Sequence, residues 1–523
     1  MKKKYLEEVT VYDPGLPGTR VLRFSCSGHL TQPGETPPNA YYAPRLKQPG
    51  NYRRDLFSQG TTSGESTTGF GETVLTNPDG GLDALKNYVF AGYPFVKRLG
   101  YEGAAYPSGF PVIMTGVNAQ PEFSWSEITL RNRDREAELD QPLQTHFYAG
   151  NNALPNGLEG VEDLKNKPKP ICVGAAPQIS PPCVNSSKLT YQVHDGVVVS
   201  ITPYCQGVAS YSFSANYATS ALLQAATVAA GTYSTCLAEG YFRLGSSPSG
   251  KVTADVVQGA TVAARTVGQI AKAFALTRLS AGDIIDADIT ALDAANSAPI
   301  ERWYDSPINV SDALTDICGD VGAWRGFDRL GKFRIQRLNA PVGDPAVKLM
   351  TESTSYTPIA GAPFCVVAEP EIINTADDNK GAPVWKVTVN YARNHTVQTS
   401  DLAGTITDAR RALLAQEYQS VEYSAPDLLD TYPNATELVI TTGLTNAAAA
   451  LAEAQRLQAL HGVQRDRLMI KVFASPETIT LFDLGVEVSA ALPRFGYDSG
   501  KPLIIIGIQP DYALGWIDLT LWG

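Results

Sequence analysis

The sequence predicts an α+β chain in which β-strands dominate, folded as several small β-barrel or β-sandwich domains with a few short helices. Two observations lead to this fold class. Short runs of alternating apolar and polar residues are separated by turn formers, with 45 glycines and 35 prolines in 523 residues. Clean helical periodicity is confined to the second half of the chain. Because 523 residues are more than one hydrophobic core usually supports, we predict several domains, at residues 1–165, 166–258, 259–365 and 366–523.

The first domain is predicted to be a set of short strands joined by glycine-rich and proline-rich loops. Apolar alternation or clustering predicts strands at residues 22–26, 73–76, 88–90, 95–99, 112–117 and 125–130. The tetrapeptide NPDG at residues 77–80 predicts a tight turn. Residues 31–71 are polar and without periodicity, so we predict a long loop that a partner molecule orders. Residues 130–165 carry dense charge and then turn formers, which is typical of a connection between domains.

The second domain is predicted to be a smaller β unit. Alternating prolines in KNKPKPICVG, residues 165–174, exclude a helix and favour an extended strand at a sheet edge. Further strands are predicted at residues 189–193 and 197–201, and a short helix at residues 221–230.

The third domain carries two amphipathic helices beside a small sheet. Apolar residues at i, i+3, i+4 and i+7 predict a helix over residues 267–274, with Thr266 as its cap. The same spacing predicts a helix over residues 314–321, which Gly322 ends. The strand GKFRIQRL follows.

The fourth domain is predicted to end in a sheet. An alanine-rich helix over residues 446–460 has His461 in its last turn, where a cation would suit the helix dipole. Three strands follow, at residues 486–490, 503–508 and 516–522, and the last of them places apolar side chains on one face. Four glycines are predicted turn or bulge positions: Gly485, Gly496, Gly500 and Gly507.

Composition argues against several classes of function and location. A net charge of −11 and a pI near 5.1 argue against sequence-specific nucleic-acid binding, which depends on cations that neutralise phosphates. No run approaches the ~18 apolar residues of a membrane span, and MKKKYLEEVTVYD has no apolar run typical of a signal peptide. The seven cysteines are odd in number and lack a CxxC pair, so we expect buried free thiols in a reducing cytoplasm.

Catalytic groups are sought among the acids, thiols and histidines. Glu136, Glu138 and Asp140 lie in a charged stretch and are predicted to form a solvated face. Cys205 with His194 is the one thiol and imidazole pair that a hairpin could join, but no nucleophile signature flanks it. The histidines are His29, His146, His194, His395 and His461. No phosphate-binding glycine motif is present, so we predict no bound nucleotide. Because no arranged acid or nucleophile is found either, we predict no catalytic residue and no enzyme activity.

Several motifs in fixed order point to one family. They include NYRRDLFSQGTTSG, TNPDGGLDAL, KPKPICVG, LTYQVHDG, GTYSTCLAEGYFRLGSSPSGKVTADV, DVGAWRGFDRLGKFRIQRL, VTVNYARNHTVQTSDLAG and the terminal LTLWG. Together they cover most of the chain, which resembles the baseplate hub, or tail tip, proteins of long-tailed, siphovirus-like bacteriophages.

The resemblance implies a structural virion protein. Such a hub is a homotrimer of β-barrel domains that closes the distal end of the tail tube, links it to a central fibre or spike, and opens for DNA ejection. Its partners would be the distal tail protein or tail tube ring, the tape measure protein and the central fibre or spike proteins. Its location would be the tail tip of the virion, after assembly in the host bacterial cytoplasm.

The resemblance also raises a metal hypothesis. Some tail tip proteins hold an iron–sulfur cluster, for which Cys172, Cys183, Cys205 and Cys236 would be the candidate ligands here. Cys172, Cys183 and Cys236 depart from the family's pattern, and four separately buried thiols are the alternative.

Two other functions remain open at this point: a receptor-binding tail adhesin and a tail-associated cell-wall hydrolase. We further expect residues 31–71 to make intersubunit or tube contacts, so that deletion of residues 60–71 would leave a soluble chain that fails to assemble.

Overall fold

The computed structural model describes residues 2–56, 64–152, 156–343, 345, 347–350, 364–365, 370–372, 382–473, 479–512 and 514–523. Strands make up 39% of the fold and helices 18%, distributed over several separate sheets. The predicted α+β class with strands dominant is confirmed. The sheets in these ranges are open, and none closes into a barrel.

Short strands fill the first half of the chain. In chain order they are β1 (Lys3–Tyr12), β2 (Thr19–Ser25), β3 (His29–Leu30), β4 (Tyr41–Tyr42), β5 (Leu46–Gln48), β6 (Tyr52–Asp55), β7 (Gly64–Glu65), β8 (Thr67–Phe70), β9 (Glu72–Thr76), β10 (Pro94–Tyr101), β11 (Val112–Asn118), β12 (Glu122–Phe123), β13 (Glu127–Arg133), β14 (Ile171–Ile179), β15 (Cys183–Asn185), β16 (Thr190–Gln192), β17 (Ser200–Cys205), β18 (Ser212–Asn216), β19 (Thr232–Cys236), β20 (Tyr241–Leu244) and β21 (Val252–Val257).

The second half combines strands and helices. Its strands are β22 (Glu301–Tyr304), β23 (Ala323–Phe327), β24 (Phe333–Arg337), β25 (Lys348–Met350), β26 (Phe364–Cys365), β27 (Glu371–Ile372), β28 (Val384–Tyr391), β29 (Gln419–Ser424), β30 (Thr436–Thr441), β31 (Arg467–Phe473), β32 (Glu487–Ala491), β33 (Lys501–Asp511) and β34 (Trp516–Trp522). The α-helices of the whole chain are α1 (Glu136–Leu139), α2 (Ser220–Ala225), α3 (Val267–Ala275), α4 (Asp286–Ala295), α5 (Val310–Gly319), α6 (Asp408–Leu414), α7 (Leu428–Thr431) and α8 (Ala447–His461).

The N-terminal sheet is strongly curled. Its strand order is β2-β1-β10-β11-β13-β9-β5, with β12 beside β13. Lys97 on β10 donates from Nζ to Thr73 Oγ1 on β9 at 2.7 Å, and that hydroxyl donates to Glu7 Oε1 on β1 at 3.2 Å. Neighbouring strands lie about 4.8 Å apart, so contacts across several strands require curling. No pairing joins the edge strands β2 and β5 in the described part of the chain.

Two sheets follow in the middle of the chain, in the orders β17-β21-β14-β22 and β15-β16-β20-β19-β18. The prediction that residues 165–174 form an edge strand is wrong, because β14 lies between β21 and β22. Pro168 and Pro170 precede Ile171, where the strand begins, so their missing N–H groups remove no bond from the ladder.

The C-terminal sheet confirms the three predicted terminal strands and adds segments from elsewhere. Its order is β26-β25-β32-β33-β34-β31-β27, and β6 pairs with β33 while β8 pairs with β6. One hydrophobic core joins this sheet to the N-terminal sheet, since Phe95 and Leu130 pack in the same cluster as Ile505 and Leu519. The four predicted domains stay a prediction, but β6 and β8 from the first predicted domain build part of the C-terminal sheet.

The predicted long loop at residues 31–71 is therefore corrected. Residues 57–63, including the first part of the proposed deletion, lie outside the described residues. The remainder holds β4, β5, β6, β7 and β8, and Tyr42, Leu46 and Tyr52 are buried. Deleting residues 60–71 would remove β8 and the bond from Gly71 N to Asn51 O at 2.7 Å. The deletion would therefore disturb the C-terminal sheet itself, and the expected soluble chain that fails to assemble stays a prediction.

The predicted helices are present, but α2 ends at Ala225, five residues before its predicted end, and α5 ends at Gly319, before the predicted stop at Gly322. Thr266 caps α3, since its side chain accepts a bond from Gln269 N. α5 begins at Val310, four residues earlier than predicted, and α8 ends at His461 before Gly462. No helix of the described ranges is long and apolar enough to cross a membrane.

Glycine conformation supports the turn assignments near the C-terminus. Gly485, Gly496 and Gly500 have φ values of +78°, +79° and +88°, which favour glycine. Gly507 lies at a register shift in β33, where a Cβ would come 2.6 Å from Asp55 Oδ1 on β6. A side chain at position 507 would disturb the pairing of β33 with β6.

Candidate assembly surface

One end of the N-terminal sheet carries exposed apolar side chains on three neighbouring segments. β1 and β11 run in the same direction, because each is antiparallel to β10. The β1–β2 turn, the segment before β10 and the β12–β13 turn therefore meet at one end of the sheet. Each presents an exposed apolar residue, and we call this set the apolar rim: Leu16, Val89, Phe123 and Trp125.

Trp125 is the most prominent member of the apolar rim. Its side chain is 96% exposed, whereas large aromatic residues are mostly covered in folded proteins. It lies in the turn between β12 and β13, where Ser124 N donates to Glu127 O at 2.9 Å and Ser124 Oγ accepts from Glu127 N at 3.1 Å. Ser126 O accepts from Asn77 N at 2.6 Å. The turn is thus ordered and presents the indole to solvent.

The β1–β2 turn is ordered in a similar way. The Asp13 carboxylate accepts bonds from Gly15 N at 2.9 Å and Leu16 N at 3.3 Å, an Asx turn that fixes the loop locally. Arg20 pairs with Asp13 at 3.0 Å across the base of the turn. Leu16, 67% exposed, is therefore held on an ordered turn.

Hydrogen bonds join the three segments below the apolar rim. Tyr12 and Val89 exchange two backbone bonds at 3.0 and 2.9 Å. Gln120, between β11 and β12, accepts from Phe90 N at 3.2 Å and donates to Tyr88 O at 2.9 Å. The three segments that carry the apolar rim are therefore held together by hydrogen bonds.

Charged groups near the apolar rim are paired within the chain. Arg131 pairs with both Glu72 and Glu122, and Lys47 pairs with Glu127. In the predicted NPDG turn, which is confirmed, Asp79 accepts two bonds from Arg45 at 2.6 and 2.7 Å, and this holds the pKa of that carboxyl well below its usual range. Such internal pairing favours apolar contact over charge attraction as the source of binding energy.

The four cysteines considered for an iron–sulfur cluster are not brought together. Cys172 is buried in β14 and Cys236 in β19, in separate hydrophobic clusters, while Cys183 is exposed. Cys205 is hydrogen bonded to Ser249 Oγ at 3.5 Å. No group of three or more potential ligands is found in the part of the chain that the structure describes.

The thiols themselves are in surroundings that disfavour metal ligation. Burial raises the pKa of Cys172, Cys183 and Cys236, which favours the protonated thiol over the ligating thiolate. All six cysteines whose side chains are described are free, and the predicted burial holds for Cys172, Cys205, Cys236 and Cys318 but not for Cys26 and Cys183. The side chain of Cys365 lies outside the described residues.

The thiol and imidazole pair considered for catalysis is also separate. His194 Nδ1 accepts from Cys172 N at 2.9 Å, and burial lowers the pKa of His194 to about 4. Cys205 instead bonds Ser249. His194 and Cys205 therefore bond to different neighbours and not to each other.

The charged stretch near α1 differs from its prediction. Glu136 pairs with Arg325, a fully buried arginine, and Glu138 accepts two bonds from Arg135 at 2.7 and 2.8 Å. The predicted solvated face is wrong for Glu136, whose side chain is 18% exposed, whereas Glu138 is 36% exposed and Asp140 is exposed. The ion pair of Glu136 with Arg325 joins α1 to β23.

The remaining histidines have structural partners. His146 Nδ1 lies 2.7 Å from Asp195 Oδ2, and His395 Nε2 lies 2.5 Å from Glu301 Oε2. His29 packs against the rings of Tyr42 and Phe110. His461 was expected as a cation at the end of α8. That expectation is wrong, because burial and then the nearby Arg456 and Arg465 lower its pKa to about 4.

Comparison with known proteins gives matches among solved structures alone. No family model and no curated protein matches the chain. The tail protein from Neisseria meningitidis is 12% identical with a TM-score of 0.42, and the match covers 100% of this chain and 97% of that chain. The 43 kDa tail protein of prophage MuSo2 from Shewanella oneidensis is 11% identical with a TM-score of 0.40, covering 98% and 97%.

A third match is to the virion of a native gene transfer agent particle, at 14% identity and a TM-score of 0.40, covering 68% of this chain and 84% of that chain. The structures that this chain resembles are thus tail proteins and a virion component. At these identities and TM-scores, the likeness does not decide the function.

Proposed function

We propose that this chain is a structural protein of a bacteriophage tail and serves as the baseplate hub at the distal end. In this role it closes the tail tube as a homotrimer, joins the tube to the central fibre or spike, and opens for DNA ejection. The sequence motifs that resemble those of tail tip proteins support this function, and the apolar rim supports an assembly role independently.

The apolar rim is the observation that carries the proposal. A fully exposed tryptophan on an ordered turn gains free energy when a partner covers it, of the order of 25 cal/mol per Å² of apolar area. Tryptophan is also the residue most enriched at the centres of protein interfaces. A stable fold that displays Leu16, Phe123 and Trp125 at one sheet end is therefore suited to be one component of a larger assembly.

The partner we assign to the apolar rim is the neighbouring tail component, the distal tail protein or tube ring. Assembly would take place in the host cytoplasm, and the free cysteines are compatible with a reducing compartment. The tape measure protein and the fibre or spike proteins would contact other faces. We further propose that the chain catalyses no reaction and holds no cofactor.

The test is tail assembly with Trp125→Ser, in a phage that carries the altered chain. Trp125 makes few contacts within its own fold, so the purified variant should keep the wild-type unfolding midpoint while infectious particles fall at least tenfold. Leu222→Ser is the matched control, since Leu222 is 54% exposed on α2 and lies outside the apolar rim.

The outcomes separate the competing functions. Normal numbers of infectious particles from Trp125→Ser would overturn the assembly role of the apolar rim. Complete tails that fail to adsorb to cells would instead favour a receptor-binding adhesin. Lysis of cell-wall substrate by the purified wild-type chain would favour a hydrolase.

A further inference from the structure

A buried ionic cluster lies where four segments of the chain meet. β22 contributes Glu301 and Arg302, the end of α5 contributes Asp320, and the loop after β28 contributes His395. The side chains of Glu301, Asp320 and His395 are 1%, 0% and 4% exposed. The fourth segment, between β30 and α8, contributes the N–H of Gly443, which donates to Asp320 Oδ1 at 2.7 Å.

The cluster joins two parts of the fold. β22 is the edge strand of the sheet β17-β21-β14-β22, whereas β28 and β30 belong to the sheet β29-β28-β30. Around the cluster, Glu301 N donates to Gly443 O at 2.8 Å, and Ile300 and Leu444 form an isolated bridge. Arg302 bonds Asp320, and His395 Nε2 lies 2.5 Å from Glu301 Oε2. Each ionic pair therefore lies at the junction of these sheets.

The charges in this pocket do not balance. Glu301 and Asp320 are the buried acids, and Arg302 is the one permanently charged base among these residues. With both acids ionised, Glu301, Asp320 and Arg302 together carry a net charge of −1. Two buried carboxylate oxygens, Glu301 Oε1 and Asp320 Oδ2, have no hydrogen-bond partner among the residues that the structure describes. Uptake of protons would remove this imbalance in a desolvated site.

The surrounding titratable groups leave this balance unchanged. Tyr304, Cys318 and Cys172 lie on β22, α5 and β14, and burial raises the pKa of all three side chains, so they are neutral at pH 7. Asp316 on α5 is exposed, so its charge is solvated. On the β28 and β29 side, Arg393 pairs with Glu417 at 3.3 Å, and burial raises the pKa of Tyr418. The opposite charges of Arg393 and Glu417 cancel.

We propose that the Glu301, Arg302, Asp320 and His395 cluster is a proton-dependent latch that holds the β29-β28-β30 sheet against β22 and α5. The latch is tightest when protons balance its acidic groups and loosens as they are released. This inference concerns the isolated chain and does not depend on a tail function.

Asp320 sets the pH window. Burial raises its pKa to about 7, with Glu301 and Asp316 adding to the rise and Arg302 opposing it. In the open state the carboxyl would be hydrated, with an ordinary pKa near 3.9. The closed state therefore binds a proton that the open state lacks between about pH 4 and 7, so the stability of the latch is lost as pH rises through 7.

The test is hydrogen exchange measured by mass spectrometry between pH 6 and pH 8, expressed as protection factors that correct for the chemical exchange rate. Wild-type peptides covering residues 392–398 and 442–445 should lose about tenfold in protection from pH 6 to pH 8, the change given by one group with a pKa near 7. In Asp320→Asn the protection should stay constant over this range. Asp498→Asn, an exposed turn residue, is the control and should behave as wild type.

Glu301→Gln gives a second, independent readout, should Asp320→Asn fold poorly. Removing this like charge lowers the pKa of Asp320, so the loss of protection should move to lower pH. Wild-type protection that is the same at pH 6 and pH 8, or an unchanged profile in both variants, would overturn the latch.

Discussion

Lys97 Nζ and Glu7 Oε1 lie 3.8 Å apart inside the N-terminal sheet, with both side chains almost fully buried. Lys97 also donates to Asn132 Oδ1 at 2.7 Å and to Gly50 O at 3.2 Å. Burial lowers the pKa of Lys97 and raises that of Glu7, while each charge opposes the shift of the other. The pair therefore links β1 and β10 to β9 and β13 across the curled sheet, beneath the strands that carry the apolar rim.

Replacing Lys97 by methionine should destabilise the N-terminal sheet. The substitution keeps the length of the side chain but leaves the Glu7 carboxylate without a counter-charge, a change that costs about 3–5 kcal/mol in buried pairs. Urea unfolding measures the loss. The double variant Lys97→Met with Glu7→Gln should recover part of it, because the uncompensated charge is gone. The two residues would not be coupled if the double variant lost as much stability as Lys97→Met alone, or as much as the two single variants together.

Replacing Gly174 by alanine should disrupt the pairing of β14 with β22. Gly174 has φ +69°, and a Cβ there would lie 1.7 Å from Ile300 O, a backbone atom that cannot rotate away. We expect a lower unfolding midpoint and reduced yield of folded chain. Gly34→Ala is the control, since a Cβ at that position meets no atom within 4 Å. If Gly174→Ala and Gly34→Ala had the same unfolding midpoint, β14 would not approach β22 as closely as described.

His461 should make the chain less stable in acid. Its folded pKa of about 4 lies below the ordinary value of 6.5, so the unfolded chain binds the extra proton between these values. Stability should therefore fall as pH drops from about 6.5 to 4. His461→Gln should flatten this part of the profile of unfolding midpoint against pH, with His146→Gln, an exposed histidine, as the control. An unchanged slope in His461→Gln would refute the assignment.

Local patterns in the sequence predicted much of the fold. The three terminal strands followed from period-two alternation and one apolar run, and α3 followed from its spacing and Thr266. β1 escaped prediction because Glu7 and Glu8 interrupt its pattern, and the burial of Glu7 depends on Lys97, 90 positions away in the chain. Likewise, β6 and β8 are too short to be recognised without β33, their distant partner.

The candidate surface was less predictable. The sequence pattern predicts a strand that includes Trp125, whereas its exposure follows from the turn that Ser124 and Glu127 close. That Leu16 lies at the same sheet end depends on strand directions, which the sequence does not specify. The pairing of His395 with Glu301 joins residues 94 positions apart, and a histidine with no flanking motif gives no signal of such a partner.

The most direct test of the proposed hub is electron cryomicroscopy of the phage particles that contain this chain. We expect three copies around the tail axis at the distal end of the tube, with Trp125 covered by the adjoining tail component. Density for the chain away from that axis, or particles complete without it, would contradict the hub function.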